Sequence, residues 1–320
     1  MPESVPTVSV IVPTYNRADV LPRAINSILR QSFQDFEIIV VDDGSIDDTG
    51  AVVSQYLDRP GSRVRYAFQK HTNVASARNL GIRLARGSYI AFLDSDDEWF
   101  PAKLQKQVAY LDSNKVGFVH TGRNLVCMPD NSRSRLLSYP QTPARSSRDL
   151  LAGTANVAMT VVVRRTMFED AGVFDEGLDT TQDLDLWLRI ARRFEIGFID
   201  EELMVSYKLA DSNMAADPER TYLDRITIFR KLLHVPHPLI VNRNWNLLLA
   251  THSGRLALEK FRKRKVAEGL YWANQSLRAR HRWAKKRPYA SAGGTQKNDG
   301  LVSAHGPVPW TNLVRAENTE

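Results

Sequence analysis

The sequence contains a single cysteine, Cys127, among its 320 residues. An intrachain disulfide is therefore excluded, and we expect a reducing compartment, because disulfides persist in oxidising ones. No apolar run approaches the about 18 consecutive residues that a membrane-spanning helix needs. The first residues carry neither a basic nor an apolar segment, so no secretion signal is recognisable. These absences predict a cytoplasmic protein and leave open peripheral contact with the inner face of a membrane.

Glycine-rich phosphate loops are also lacking. No G-x-G-x-x-G motif follows any apolar run, which argues against a dehydrogenase. The loop after the first predicted strand, Pro13-Thr14-Tyr15-Asn16-Arg17, contains no glycine. A nucleotidyltransferase that makes sugar nucleotides would carry a glycine-rich basic loop there, so this enzyme class is disfavoured, although it stays an alternative.

The charge is unevenly distributed. The formal net charge is +7, yet residues 255–287 carry twelve Lys or Arg against Glu259 and Glu268 alone. This segment is therefore strongly basic, and the rest of the chain is mildly acidic. A segment of that kind predicts an anionic partner, either a membrane surface or a nucleic acid.

Apolar runs and helix-like segments alternate in the first third of the chain. The hydrophobic content of 43% and the charged content of 25% are ordinary for a globular protein. Because strands that alternate with helices form parallel sheets, we predict an α/β fold: a single Rossmann-like, mostly parallel sheet flanked by helices. The predicted strands are Val8–Val12, Ile38–Val41, Val64–Phe68 and Tyr89–Leu93.

The pattern changes in the second half of the chain. Residues 128–147 are rich in Pro, Ser, Asn and Arg, which is typical of a long loop. Helical segments are predicted at 218–233, 242–258 and 262–283. The composition after 287 is typical of a disordered tail. We therefore predict a catalytic domain over residues 1–215, a basic helical extension over 216–287 and a disordered tail over 288–320.

Polar residues follow three of the predicted strands. Pro13-Thr14-Tyr15 follows the first strand, Asp42-Asp43 the second, and Asp94-Ser95-Asp96-Asp97 the fourth. Parallel strands bring their carboxyl ends to one edge of a sheet, and ligands bind outside that edge. The coincidence of three polar clusters there predicts a nucleotide site.

The acidic cluster has two interpretations. Three carboxylates on a short loop suit Mg²⁺ or Mn²⁺, which keep several waters and also bind substrate phosphates. Alternatively, the cluster is a solvated turn that caps the helix beginning near Pro101.

A further carboxylate, Asp183, lies near the start of a predicted helix over residues 182–191. The helix dipole favours a negative charge there, so we expect Asp183 to stay ionised. An ionised carboxylate is what a general base requires.

Together these clusters resemble the family 2 glycosyltransferases, inverting enzymes with the A-type glycosyltransferase fold. The resemblance covers residues 6 to 210 in collinear order, and five motifs in order are strong support where one would be weak. The matching segments are Val8–Arg17, Val40–Ser45, Ala77–Gly81, Leu93–Asp97 and Gln182–Arg189.

The resemblance implies a role for each matching residue. Pro13, Thr14, Tyr15 and Asp43 fall where the family holds the nucleoside, with Asp43 accepting a hydrogen bond from a ring N–H of the base. Arg78, Asp94 and Ser95 fall at donor-binding positions, and Asp183 matches the general base for the acceptor hydroxyl. The metal-binding positions correspond to Asp94 and Asp96, with Asp97 beside them.

Two departures from the family pattern affect these assignments. Gln182 stands where many members carry an acid. This chain therefore lacks a negative charge next to Asp183 but retains the predicted base. His71-Thr72-Asn73 replaces a glycine-rich approach to the third helix, which changes how closely a donor fits. We did not include His71 in the predicted site, because a loop histidine is more often solvated.

The resemblance implies a metal-dependent hexosyltransferase. Its donor would be a nucleoside-diphosphate sugar, with a UDP-sugar favoured. Its acceptor would be a glycan or a lipid-linked molecule in cell-surface polysaccharide synthesis. A catalytically silent sugar-nucleotide-binding scaffold is the alternative from another class, and the complete set of acids argues against it.

The basic segment carries two apolar rows at helical spacing. Phe261, Trp272 and Trp283 form an aromatic row, and Val266, Leu270, Ala273 and Leu277 form an aliphatic row. We favour packing of both rows on the catalytic domain, and contact of residues 255–287 with an anionic membrane stays open. Nucleic acid is disfavoured, because no recognition motif accompanies the charge.

Overall fold

The first four strands form a parallel sheet, as predicted. They pair in the order β3-β2-β1-β4, with all three pairings parallel. Their apolar runs are continuous because helices cover both faces, so β1 and β2 are buried along their whole length. The elements are β1 (Val8–Thr14), α1 (Leu21–Leu29), β2 (Phe36–Asp42), α2 (Thr49–Leu57), β3 (Val64–Phe68), α3 (Val74–Leu84) and β4 (Tyr89–Phe92).

This description comes from a computed structural model. The predicted tail, residues 288–320, lies outside the described residues, as does much of the long loop predicted over 128–147. The residues described are 5–128, 135–137, 143–155, 157, 159–209, 218–234, 236–240 and 242–285.

The second half of the sheet is mixed. β8 runs antiparallel to both of its neighbours, β4 and β6, whereas β6 and β9 are parallel. The predicted single sheet with flanking helices is therefore confirmed, and its parallel character belongs mainly to the first four strands. The further elements are β5 (Glu98–Trp99), α4 (Lys103–Ser113), β6 (Phe118–Met128), β7 (Arg135–Leu137), α5 (Ser147–Leu151), β8 (Val162–Arg164), α6 (Met167–Ala171), α7 (Gln182–Ala191) and β9 (Ile196–Leu209).

Alternate residues of each strand enter separate cores on the two faces of the sheet. Ile11 and Phe92 pack with Trp187 on one face, whereas Val10 and Val12 pack on the other. Helix α3 lies close against β1, since a Cβ added at Gly81 would be 2.4 Å from the Ile11 side chain. This close contact fixes the position of α3 relative to the strand ends.

The C-terminal helices α8 (Pro218–Leu233), α9 (Asn242–Arg262) and α10 (Val266–Lys285) pack on the first of these cores. Trp245 of α9 is buried, and its indole N–H donates to the backbone oxygen of Leu151 at 2.6 Å. The extension therefore shares its hydrophobic core with the sheet. Among the helices that the structure describes, none is both long and apolar enough to cross a membrane.

The two apolar rows of the extension differ in burial. Trp272 packs against the shared core, and the ring of Phe261 lies over Gly269, where an added Cβ would be 2.5 Å away. Leu270 and Leu277 are 61% and 65% exposed. The favoured prediction that both rows pack on the catalytic domain is therefore wrong for the aliphatic row. Helix α10 contacts α9 along one side only, and the aliphatic row faces away from that contact.

Candidate functional site

The three polar clusters meet at one edge of the sheet, as predicted. Thr14 is the register partner of Asp42, and the Asp43 amide donates to the Thr14 carbonyl at 2.9 Å. On the other side of β1, the Leu93 amide donates to the Ile11 carbonyl at 3.1 Å, which places Asp94 at the same edge. The parallel register of β2, β1 and β4 thus brings together Thr14, Asp43 and Asp94, which lie 29 to 80 positions apart in the chain.

The residues after β1 divide into buried and exposed members. Pro13 and Thr14 are buried, and the Thr14 hydroxyl has no hydrogen-bond partner among the described residues. Tyr15 is 40% exposed, and its ring stacks on the His71 ring with centroids 4.0 Å apart and planes 17° apart. An aromatic face is therefore presented at the end of β1.

Asp43 is only 4% exposed, and its carboxylate receives several hydrogen bonds. Gln69 Nε2 donates at 2.6 Å and the Thr72 amide at 3.1 Å, while His71 Nδ1 lies 2.9 Å from Asp43 Oδ2. The loop between β3 and α3 therefore folds over the end of β2. Gly44, at φ +84°, permits this approach, because an added Cβ would lie 2.6 Å from the His71 amide nitrogen.

The His71 ring is thus stacked on one aromatic face, and its Nδ1 lies against the Asp43 carboxylate and 3.0 Å from the Asp43 backbone oxygen. A nucleobase held by Tyr15 and Asp43 would make the same two contacts, a stack and a ring N–H donated to the acid. His71 was not predicted as a site residue. In the sequence, the only sign of a role for His71 is that residues 71–73 depart from the family pattern, and no spacing rule connects that loop to Tyr15.

Arg78 and Asp94 form an ion pair at the centre of the edge. Arg78 Nη2 lies 2.6 Å from Asp94 Oδ1, and the arginine is 4% exposed on α3. Asn73 caps this helix by accepting the Ser76 amide at 2.9 Å. The Nε of Arg78 has no partner among the described residues, so one donor of the guanidinium remains for another anion.

Asp96 lies in a strongly charged environment. Burial raises the pKa of its carboxyl group and Asp94 raises it further, whereas Arg17 and Arg23 lower it. Arg23 Nη2 also donates to the Asp96 carbonyl at 2.5 Å, and its guanidinium lies 3.8 Å from the centre of the Tyr207 ring. Neither Arg17 nor Arg23 was predicted, because nothing in the α1 pattern points to the acidic loop.

Asp97 is turned toward the sheet interior. It is 6% exposed, and its two oxygens accept from the Tyr207 amide and the Ser206 hydroxyl, each at 3.1 Å. Burial, followed by Asp94 and Asp96, raises the pKa of this carboxyl group well above its ordinary value. Asp97 thus fastens the acidic loop to β9, and Ser95 is buried in the turn beside it.

The donor set suits a divalent cation at Asp94 and Asp96. Asp94 raises the pKa of Asp96, so the two negative charges disfavour one another, and a cation between them would relieve the repulsion. Within the described ranges, no group of three or more His, Cys, Asp or Glu is arranged to hold a metal ion. Two carboxylates are nevertheless the usual protein contribution to a Mg²⁺ site that also binds phosphate.

Asp183 lies in the first turn of α7, as predicted, and its Oδ1 accepts the Leu184 amide at 2.8 Å. Burial raises the pKa of this carboxyl group, and Asp94 raises it too; Arg78, the Leu184 amide and Arg225 lower it. Desolvation is thus the largest influence on this carboxyl group, and it acts against the helix dipole, which favours the ionised form. A raised pKa makes the carboxylate a stronger proton acceptor.

Asp185, two residues further along α7, has a structural partner. Its Oδ2 lies 2.9 Å from Arg189 Nε, and Arg189 Nη2 donates to the Val173 carbonyl at 2.7 Å. Asn79 of α3 donates to the Phe174 carbonyl at 3.0 Å and so holds the same loop from the other side. These contacts fix α7, and with it Asp183, relative to Arg78.

The family model described as "Glycosyl transferase family 2" matches residues 9–172. An "Uncharacterized glycosyltransferase" of Rickettsia felis is 34% identical over 233 residues, which are 72% of this chain and 38% of that relative. The chain thus spans less than two fifths of that relative's length.

Two bacterial relatives are matched over more of their own length. The "Putative teichuronic acid biosynthesis glycosyltransferase TuaG" of Bacillus subtilis is 29% identical over 71% of this chain and 88% of its own. The "UDP-Glc:alpha-D-GlcNAc-diphosphoundecaprenol beta-1,3-glucosyltransferase WfgD" of Escherichia coli is 29% identical over 66% of this chain and 80% of its own.

The fold is similar to that of S. aureus TarS residues 1–349, solved in complex with UDP-GlcNAc. The TM-score is 0.61 at 22% identity, over 78% of this chain and 72% of that one. At this identity the likeness concerns the fold, and it agrees with the A-type glycosyltransferase fold implied by the motifs.

Proposed function

The chain belongs to glycosyl transferase family 2, and from this membership we propose that it transfers a sugar from a nucleoside-diphosphate sugar to a hydroxyl group, with inversion and with a divalent metal. The observation that carries the proposal is the position of the His71 side chain, whose ring lies at the strand edge. The His71 ring stacks on Tyr15 and contacts Asp43, so this pocket accepts a flat ring with an N–H donor. A pyrimidine base fits the same description, which favours a UDP-sugar.

The diphosphate would lie beside the base, at the next strand end. Arg78 has a guanidinium donor without a partner among the described residues, and Asp94 and Asp96 would hold Mg²⁺ or Mn²⁺. Such a metal neutralises the charge that builds on the leaving phosphate. Arg78 itself would donate to a phosphate oxygen, and its near-complete burial strengthens that bond.

Asp183 would take the proton from the acceptor hydroxyl. That oxygen then attacks the anomeric carbon from the face opposite the leaving nucleoside diphosphate, so the configuration inverts. The raised pKa supports this role, since a carboxylate that holds a proton more tightly is a better base. Asp183 lies within electrostatic range of Arg78 and Asp94, which places it near the transferred sugar in this scheme.

The relatives support a bacterial cell-surface glycan as the product. One is described as acting in teichuronic acid biosynthesis, and another is described with a diphosphoundecaprenol-linked acceptor. We extend these printed activities to the present chain as a proposal, with a glycan or lipid-linked acceptor. Peripheral membrane contact through residues 255–287 belongs to the same proposal, because a lipid-linked acceptor lies at a membrane.

The test is a panel of sugar nucleotides incubated with the full chain and Mn²⁺, with nucleoside diphosphate release as the readout. We expect release from one UDP-sugar, abolished by excess chelator and by Asp96→Ala. Asp35→Ala serves as the matched control, since Asp35 is an exposed acid that caps the start of β1 through Thr7.

The alternatives predict other outcomes. Donor binding without turnover for any donor or acceptor would support a catalytically silent scaffold. Turnover that is unchanged in excess chelator would contradict metal dependence while leaving transferase activity in place. Release of pyrophosphate from a nucleoside triphosphate and a sugar phosphate would point to a nucleotidyltransferase.

A further inference from the structure

Helix α10 exposes a row of aliphatic side chains that nothing in the described residues covers. Val266, Leu270 and Leu277 are 58%, 61% and 65% exposed. Their spacing of four and seven residues places them along one line of a helix. Three large apolar side chains on one line are unusual for a free surface, where apolar residues more often occur singly.

Cationic side chains flank this aliphatic row. Arg278 and Arg280 are exposed and lie on either side of Leu277 around the helix. The turn before Val266 contains Arg262, Lys263, Arg264 and Lys265 in sequence, of which Arg262 pairs with Glu259, Lys263 with Glu219 and Lys265, at 3.9 Å, with Glu268. The one acid of the helix, Glu268, lies on the opposite side and pairs with Lys260 at 2.6 Å. The row is therefore apolar in the middle and positive at its margins.

We propose that this face of α10 docks on an anionic lipid surface. Aliphatic side chains would enter the boundary between headgroups and acyl chains, and the flanking Lys and Arg would contact lipid phosphates, as in interfacial amphipathic helices. The direction differs from the one expected from sequence, because Trp272 packs toward the protein and the aliphatic row faces outward.

The distribution of charge favours an anionic lipid surface over two other partners, a second copy of the chain and a nucleic acid. A second copy of the chain bound through the same face would bring like charges together around the aliphatic row, which disfavours a symmetric dimer. A nucleic acid would match the positive charge and leave the aliphatic row exposed to water. An anionic bilayer satisfies both features at once.

The opposite side of α10 is already bound to the protein, so docking needs no rearrangement. Ser276 donates to the Ala250 carbonyl at 2.7 Å, and Ala279 is fully buried. Substitutions in the exposed row should consequently leave the fold intact. The proposal rests on the membrane contact already proposed for residues 255–287 and names the face that makes it. Its test is independent of the catalytic one, because vesicle binding is measured without donor or acceptor.

The experiment is co-sedimentation of the full chain with vesicles, one set of phosphatidylcholine alone and one with an equal part of phosphatidylglycerol. We expect binding to the anionic vesicles only and its loss at high salt. The double variant Leu270→Gln with Leu277→Gln keeps the charge and a helix-forming side chain. It should weaken vesicle binding by at least about tenfold, because two aliphatic side chains no longer enter the membrane.

Two controls separate the contributions. Val5→Gln removes an apolar side chain that is 69% exposed outside the extension and should bind like the wild type. Arg278→Gln with Arg280→Gln should reduce binding and flatten its salt dependence. Thermal melting of every variant checks the fold.

Three results would overturn the proposal. The wild type could fail to bind anionic vesicles. The Leu→Gln pair could bind as tightly as the wild type, which would make the attraction purely electrostatic. Finally, sedimentation velocity could reveal a dimer that the Leu→Gln pair dissociates while vesicles capture nothing, which would make a second copy the occupant.

Discussion

The strand edge that holds the candidate active site and the C-terminal extension are both rich in charge, yet they hold that charge in opposite ways. At the edge, Arg78 and Asp97 are 4% and 6% exposed and have fixed protein partners. In the extension, the side chains of Arg262 and Lys263 are 74% and 51% exposed, although both take part in ion pairs.

The difference has a physical consequence for what each region recognises. Buried charges interact strongly and at fixed geometry, so they shift one another's pKa values and select a ligand by shape. Exposed charges are screened by salt and contribute little per pair, so they act together as a diffuse surface. Lys260 is the exception within the extension: its side chain is 8% exposed, and it bridges Glu219 and Glu268.

The largest effect is expected when the proposed proton acceptor, Asp183, is removed from the candidate active site. Asp183→Asn keeps the size of the side chain and an oxygen that can accept the Leu184 amide. Transfer should fall by about 10²- to 10⁴-fold, which is the usual contribution of a general base. Nucleotide affinity should stay near that of the wild type, as measured by calorimetry with UDP.

Glu259→Gln is the matched control in the other region. It makes the same change from carboxylate to amide in a residue whose ion pair with Arg262 lies at the surface. Its transfer rate should equal that of the wild type. If Asp183→Asn also transferred sugar at the wild-type rate, the base would lie elsewhere and the comparison between the two regions would lose its main support.

The second prediction concerns how stability depends on pH through two buried histidines, one in the sheet and one in the extension. Burial lowers the pKa of His120, on β6, to about 4 and that of His252, on α9, to about 3. Below the ordinary value of 6.5, the unfolded chain binds protons that the folded chain does not. The free energy of unfolding therefore falls as the pH drops from 6.5 toward 4, by about 3 kcal/mol for His120 across that window.

Urea unfolding between pH 8 and pH 5 measures this loss. His252→Phe keeps an aromatic ring beside Tyr222 and Phe229 and removes the titration. The free energy of unfolding of the variant should fall less over this range than that of the wild type, because the unfolded variant takes up one proton fewer. An identical pH dependence in both proteins would mean that His252 is accessible to protons in the folded state.

The smallest expected effect concerns His71, which is half exposed yet bound at the buried edge. Its ring occupies the position proposed for the base, so His71→Ala should remove a competitor. The apparent dissociation constant of UDP should fall by about two- to fivefold, because a larger fraction of the protein is ready to bind. Calorimetry gives both the constant and the enthalpy.

His281→Ala, an exposed histidine on α10, is the control and should leave UDP affinity unchanged. Weaker UDP binding by His71→Ala would contradict the idea that the ring stands in for the base. It would indicate instead that His71 contacts the bound nucleotide and is a further nucleotide-binding residue of the site.

Much of the fold was predictable because it depends on local patterns. The continuous apolar runs of β1, β2 and β4 predicted a buried parallel sheet, and the common edge of their carboxyl ends followed from strand direction alone. The prediction was weaker where order depends on distant partners. Strand β9 was not predicted, since its pairing with β6 includes register shifts and Asp200-Glu201-Glu202 interrupts its apolar residues.

Residue type and spacing were enough to name Asp43, Asp94 and Asp96 at the ends of predicted strands, and the resemblance to the family added Arg78 and Asp183. Only the tertiary structure decided how those side chains are used. It turned Asp97 toward Ser206 and Tyr207, brought the His71 ring over Tyr15, and left the aliphatic row of α10 exposed while Trp272 packed against the core. The reason is physical: residue type and spacing are local, whereas burial and hydrogen-bond partners depend on contacts between segments far apart in the chain.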